Sequence, residues 1–252
     1  MLQVARLAPN LLQDAAEPLA EFFLSQFNED GGAANRAGQS DLYYTVFALE
    51  GLIALQVEFP TKVSHFLETF GDGDKLDLVH LCCLARCWAN LKGDAPRLDR
   101  RIEALWDRES VYHSFLAWGA LQDQGKRPRP IEVRDSSPVR TTPTTAAAMT
   151  LQRQMHQTVP SEIVQWLLAR AHPEGGFLAT EGAPMPDLLS TATALHALSG
   201  QQVSFAHLKE PTLDFLDTLW TGRAFCGNWA DDEPDCEYTY YALLAMGHLS
   251  LA

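Results

Sequence analysis

Aromatic side chains gather where the apolar runs of this chain begin: Tyr43, Tyr44, Tyr112, Phe115, Trp118, Tyr238, Tyr240 and Tyr241. Rings so placed either line an apolar cavity that accepts a long hydrophobic ligand or fill a core. Carboxylates stand at the same points. Asp41, Asp77, Asp187 and Asp235 each head a run, and Asp231-Asp-Glu-Pro-Asp235 is an acidic stretch. Taken singly, each heading acid is suited to cap the free N–H groups of a helix start. The dense cationic stretch Lys126-Arg-Pro-Arg129, with Arg134 and Arg140, reads as a solvated loop or as a phosphate site. No nucleophile elbow, P-loop, HExxH zinc motif or dinucleotide glycine motif occurs.

The elements that must position these residues show themselves as a repeat. An acidic or polar residue, three residues, Thr or Ser, and then an apolar run return at intervals of about 40 residues. The copies open at Asp41, Asp77, Ser110, Arg140, Asp187 and Asp235. Runs such as 46–55 and 240–246 are apolar nearly all round, which predicts helices buried on every side. Between them, 18–26, 161–170 and 211–220 are amphipathic with early carboxylates and predict outer helices. Gly-rich turns, Asp30-Gly-Gly32, Gly71-Asp-Gly-Asp74 and Glu174-Gly-Gly-Phe177, follow or link these stretches. Alternating buried and half-exposed helices build two concentric rings or an open solenoid.

At 252 residues and 46% hydrophobic composition, one core is affordable, and a single domain over 1–252 is expected. The net charge of −13 argues against nucleic acid and anionic membranes as partners. Five irregularly placed cysteines without paired CxxC motifs point to a reducing compartment and a cytoplasmic location, and away from a structural zinc knuckle. No leader peptide is read at the start, and no stretch is long and apolar enough to span a membrane.

The segment from Asp30-Gly-Gly32 to Asp41-Leu-Tyr-Tyr-Thr45, its echo from Glu174-Gly-Gly-Phe177 to Asp187, and Pro234-Asp-Cys-Glu-Tyr-Thr-Tyr-Tyr241 resemble the prenyltransferase and squalene-oxidase repeat. That repeat builds protein prenyltransferase β-subunits and related terpene cyclase domains. The resemblance implies an all-α fold, an α/α toroid of about six helix pairs. In the protein prenyltransferases, zinc is held by Asp and Cys two residues apart and by a His from the next repeat. Here those places fall on Asp235, Glu237 and Tyr44, while His80 and His113 take the His place of the second and third copies. A metal set drawn from Asp235, Glu237, His80 and His113 is thus expected, with the cofactor open between zinc and iron and the family's zinc ligand set incomplete. The family's diphosphate clamp is likewise altered: Trp229 and Asp232 stand near its Arg and Lys, Arg36 lies in the first loop, and Tyr238 is retained.

On this basis the chain is expected to be a prenyltransferase-like or terpenoid-handling protein, binding an isoprenoid or similar hydrophobic molecule in its central barrel. Asp235, Glu237 and Tyr238 are the expected catalytic group, and Tyr43, Tyr44, Tyr112, Arg36 and Trp229 the expected ligand contacts. Two alternatives stay open: a non-catalytic binding or scaffold module, with a helical protein partner such as the family's β-subunits have, and a carbohydrate-active helical barrel with two carboxylates on one groove.

Overall fold

In the computed structural model, which describes residues 1–92, 95–133 and 139–252, the helices are as follows in chain order. A short pair, α1 (Leu2–Ala5) and α2 (Pro9–Leu12), precedes α3 (Ala16–Ser25), α4 (Leu42–Ala54), α5 (Val63–Glu68), α6 (Leu78–Leu91), α7 (Asp99–Leu105) and α8 (Val111–Asp123). Then come α9 (Thr142–Gln154), α10 (Ser161–Leu168), α11 (Leu188–Gly200), α12 (Lys209–Thr218) and α13 (Cys236–Leu249). A two-residue antiparallel ladder, β1 (Phe177–Leu178) with β2 (Pro186–Asp187), leads into α11.

The apolar helices α4, α6, α8, α9, α11 and α13 each contact the next, and α13 closes onto α4. The repeat therefore forms a ring, not an open solenoid. Outside it, α3, α5, α7, α10 and α12 pack on α4, α6, α8, α9 and α13 respectively. The α8–α9 connection carries no helix among its described residues. Ile131 and Val133 cover that stretch of core instead, and Gln157 Nε2 donates to the Ile131 carbonyl at 2.8 Å. Lys126 in this connection pairs with Asp99 and Arg140 stacks over Trp166, while Arg134 lies outside the described residues. Among the described residues, these cations go to different partners.

Every inner helix starts on an oxygen-bearing cap. Asp41, Asp77, Ser110, Asp187 and Asp235 accept from backbone N–H groups two or three residues on, satisfying donors that a helix start leaves free. In the fourth copy the cap is Thr141, one residue after the expected Arg140, because a guanidinium has no oxygen to accept the Thr144 N–H. The Thr four places after the cap has its own purpose. Thr45 and Thr191 accept the N–H of Ala33 and Phe177 and donate to the carbonyl of their caps, and Thr239 accepts from Phe225. In these three copies the repeat's polar pair thus fastens the incoming segment to its inner helix.

The glycine turns fix the outer ring. Gly31 and Gly175 have φ of +95° and +92°, and a Cβ on either would sit 2.2 Å from the Lys62 carbonyl oxygen or 1.8 Å from that of Pro211. Only glycine permits both the left-handed backbone and that approach to the start of the next outer helix. No helix of the described residues is long and apolar enough to cross a membrane.

Candidate functional site

A cavity of about 160 Å³ lies on the ring axis. Its lining follows helical periodicity from the caps inward. Two places after the cap stand Tyr43, Tyr112, Pro143, Leu189 and Glu237; five and six places on come Phe47, Cys83, Leu116, Ala147, Thr193 and Tyr241 with Val46, Cys82, Phe115, Ala146 and Tyr240; nine places on come Arg86, Thr150 and His196. Spacings of three and four keep one face of each helix toward the axis. Space remains because α9 and α11 contribute small side chains, Ala146, Ala147, Thr150 and Thr193, where α4 and α13 contribute rings.

At the capped end, Glu237 and Tyr43 face each other, and the Tyr43 hydroxyl donates to Glu237 Oε1 at 2.6 Å. Burial pushes the Glu237 carboxyl up to about 7; the Tyr43 hydrogen bond opposes this, and Asp235 adds to it. A carboxyl so placed exchanges its proton near neutral pH. Burial also raises the Tyr43 phenol, so that tyrosine remains a hydrogen-bond donor.

Beside this pair sits a separate ion cluster. Arg36 reaches Asp235 Oδ2 through Nε at 2.8 Å and both Asp231 oxygens through its other nitrogens at 2.7 and 3.0 Å, and lies over the Tyr238 ring. Asp235 Oδ1 accepts the Tyr238 N–H. The hydrogen bond from Arg36 holds the Asp231 carboxyl below its ordinary range.

At the other end of the cavity Arg86 pairs with Glu50, whose side chain is almost wholly buried. Burial opposes the charge on Arg86, but Glu50 and the groups around it more than restore it, so the guanidinium stays protonated. His196 lines the same level and meets His248 at 3.0 Å, Nδ1 to Nε2. Burial lowers these imidazoles to about 2 and about 4, which keeps them neutral.

Of the expected site residues, Glu237, Tyr43 and Tyr112 line the cavity. Tyr44 stands beside them at the mouth, where burial and the charges of Asp235 and Glu237 raise its phenol to about 12. Asp235 and Tyr238 do not line the cavity with Glu237: the Asp235 carboxylate is taken up by its cap and Arg36, and the Tyr238 ring packs between Arg36 and Gly227. Arg36 is no free anion clamp, because each of its nitrogens meets a carboxylate. Trp229 lies outside the ring, its Nε1 donating to Thr218 and its indole edge-on to Phe215 and His172.

Among the described residues no three His, Cys, Asp or Glu side chains converge to hold an ion. Asp235 serves Arg36, Glu237 binds Tyr43, His80 meets Asp77 through Nδ1 at 2.8 Å and Asp41 through Nε2 at 3.9 Å, and His113 Nδ1 is buried without a partner. Cys236 is buried in the core, and burial raises its thiol well above the ordinary range. The donor set of a thiolate-activating zinc is therefore not assembled, and no step is derived through one.

The charged residues that sequence reasoning missed are Glu50 and Arg86. Their signal was a lone charge in each of two neighbouring apolar runs, nine places after Asp41 and Asp77. A buried charge asks for a partner, and each was the other's.

Residues 8–89 and 127–251 match the family model described as the prenyltransferase alpha-alpha toroid domain. No curated protein matches the sequence.

Proposed function

The chain belongs to the prenyltransferase alpha-alpha toroid family, and we propose that it is a single toroid domain over 1–252 that binds a small hydrophobic molecule of the isoprenoid class in its central cavity. The observation that carries this reading is the axial cavity itself, walled by Phe47, Phe115, Tyr240 and Tyr241 and overlooked by the Glu237–Tyr43 pair. Its volume of about 160 Å³ suits a short hydrophobic chain. Thiol prenylation on zinc is not part of the proposal, since neither a ligand set nor a free cationic clamp supports it.

Where chemistry follows binding, Glu237 is its acid–base group, with Tyr43 holding the carboxyl in place. A carboxyl titrating near neutrality passes protons to and from oxygen. It is too weak an acid to protonate an isolated alkene, which disfavours cyclase-type initiation. The free, buried thiols of all five cysteines support a reducing, cytoplasmic setting.

Native mass spectrometry of the full chain with geraniol and farnesol tests the reading. One-to-one binding of geraniol, lost when Ala147 or Thr193 is enlarged to Phe, is expected. Failure to retain either molecule, with the protein folded by circular dichroism, removes it.

A further inference from the structure

We propose that the capped end of the central cavity is a head-group site for a primary ammonium, so that the ligand is a short hydrophobic amine whose charged end sits among Glu237, Tyr112 and Tyr241. The inference rests on the reading above and specifies the ligand's polar end and where it sits.

All three residues line the cavity. Glu237 on α13 and Tyr112 on α8 stand two places after their caps, on helices three positions apart in the ring of six, and Tyr241 follows Glu237 by one turn on the same face. Burial raises both phenols, and the Glu237 charge raises them further. Tyr43, which donates to Glu237, is acted on by both of them in turn. Among the described residues, Glu237 Oε2 and the hydroxyls of Tyr112 and Tyr241 have no hydrogen-bond partner. A primary ammonium carries three N–H donors, one for each of these oxygens. Tyr112 is also 47% exposed, so it joins the chamber to the surface at this end.

Charge selects the class. Glu237 is the one carboxyl on the cavity wall among the described residues, its hydrogen bond comes from a neutral phenol, and no cation pairs with it. The same end carries the caps Asp41, Asp77, Asp187 and Asp235, and Asp231. Its cations are already engaged, Arg36 by Asp231 and Asp235 and the His80 ring by Asp77. Each inner helix start adds about half a positive charge, but four of the six are headed by a carboxylate. The floor is different. There Arg86, Arg153 and the Met1 amine face Glu50 and Asp123; burial disfavours the charge on the amine and on Asp123, and His196 and His248 are neutral. Cations are not outnumbered at that end, so an ammonium is drawn to the mouth. A buried ammonium needs both a counter-charge and acceptors, and Glu237 with the two phenols supplies them. The rings of Tyr43, Phe47 and Tyr241, with centroids 4.9 and 5.5 Å apart, form a continuous aromatic wall that favours a cation beside it. An anionic head meets like charge at the same place.

The test is calorimetric titration of the full chain at pH 7 with geranylamine, geraniol and geranic acid, one carbon skeleton with a cationic, a neutral and an anionic head. Geranylamine is expected to bind at least about tenfold more tightly than geraniol, the value of a charge-assisted hydrogen bond, and geranic acid is expected to bind most weakly. Glu237→Gln is expected to bring geranylamine to within about twofold of geraniol, which separates this site from general attraction to an acidic protein. Tyr112→Phe, on a half-exposed ring, removes only the hydroxyl and is expected to weaken geranylamine roughly fivefold with geraniol changed less. Equal binding of geranylamine and geraniol, tightest binding of geranic acid, or unchanged geranylamine affinity in Glu237→Gln overturns the ammonium site and leaves the cavity reading standing. If none of the three molecules binds to the folded protein, both inferences fall.

Discussion

Glu237 is a carboxyl whose environment works against its charge, and this has a measurable consequence for stability. Its folded value of about 7 lies above its ordinary 4.5, so between those values the folded chain holds a proton that the unfolded chain has lost. Stability from this residue therefore declines as pH rises through that window and stays reduced above it. Glu237→Gln is expected to flatten that decline and to be more stable than the parent at pH 8 by about 2 kcal/mol, with little difference at pH 4. Urea unfolding of both proteins at the two pH values checks this; parallel profiles would show that Glu237 ionises freely. Asp235 makes the opposite case, a carboxylate that the fold uses as an ion. Asp235→Asn keeps the cap but gives up the charge facing Arg36, for an expected loss of about 1–2 kcal/mol, and Asp235→Ala loses both, for about 2–3 kcal/mol. Capping acids were legible in the sequence because a helix start needs an acceptor whatever surrounds it. The partners of Glu50 and Arg36 were not, since Arg86 and Asp235 reach them only through tertiary packing.

At the level of the elements, the repeat was legible for a reason that the hydrogen bonds make explicit. Cap and Thr recur together because one starts the inner helix and the other fastens the segment entering it, as Asp187 and Thr191 do for Phe177. The weakest copy departs from the pattern in both respects: its cap shifts to Thr141, and the Thr145 hydroxyl has no partner. Register at that copy could not be read from type alone, since Arg140, Thr141 and Thr142 offered three starts in a row. The glycine turns make a sharper prediction. Gly175→Ala must place a methyl group against the Pro211 carbonyl while holding a left-handed backbone, and is expected to cost about 3 kcal/mol or more. Gly182→Ala, also at positive φ but with open space around it, is expected to cost about 1–2 kcal/mol. Comparing their midpoints in urea separates packing from backbone strain; equal losses would mean that the close approach relaxes freely.

For the whole molecule, the decisive relation is the contact of α13 with α4, which the sequence left open between ring and solenoid. An open stack frays from its ends, whereas this ring has no free inner-helix face. Unfolding is therefore expected to be a single transition in which far-ultraviolet circular dichroism and tryptophan fluorescence coincide, and separated midpoints would show that one arc of the ring melts alone. The seam has a further consequence, for the order of events while the chain is made. Arg36 meets Asp231 and Asp235 across nearly 200 residues, and the apolar face that α4 turns toward α13 finds its cover only when residues 236–249 arrive. A ribosome that has delivered the first repeats thus holds a half-built arc with one sticky edge, and α13, made after the other inner helices, is the keystone. Contacts between segments so far apart in sequence form slowly, so refolding should end in a late step that chaperones shelter.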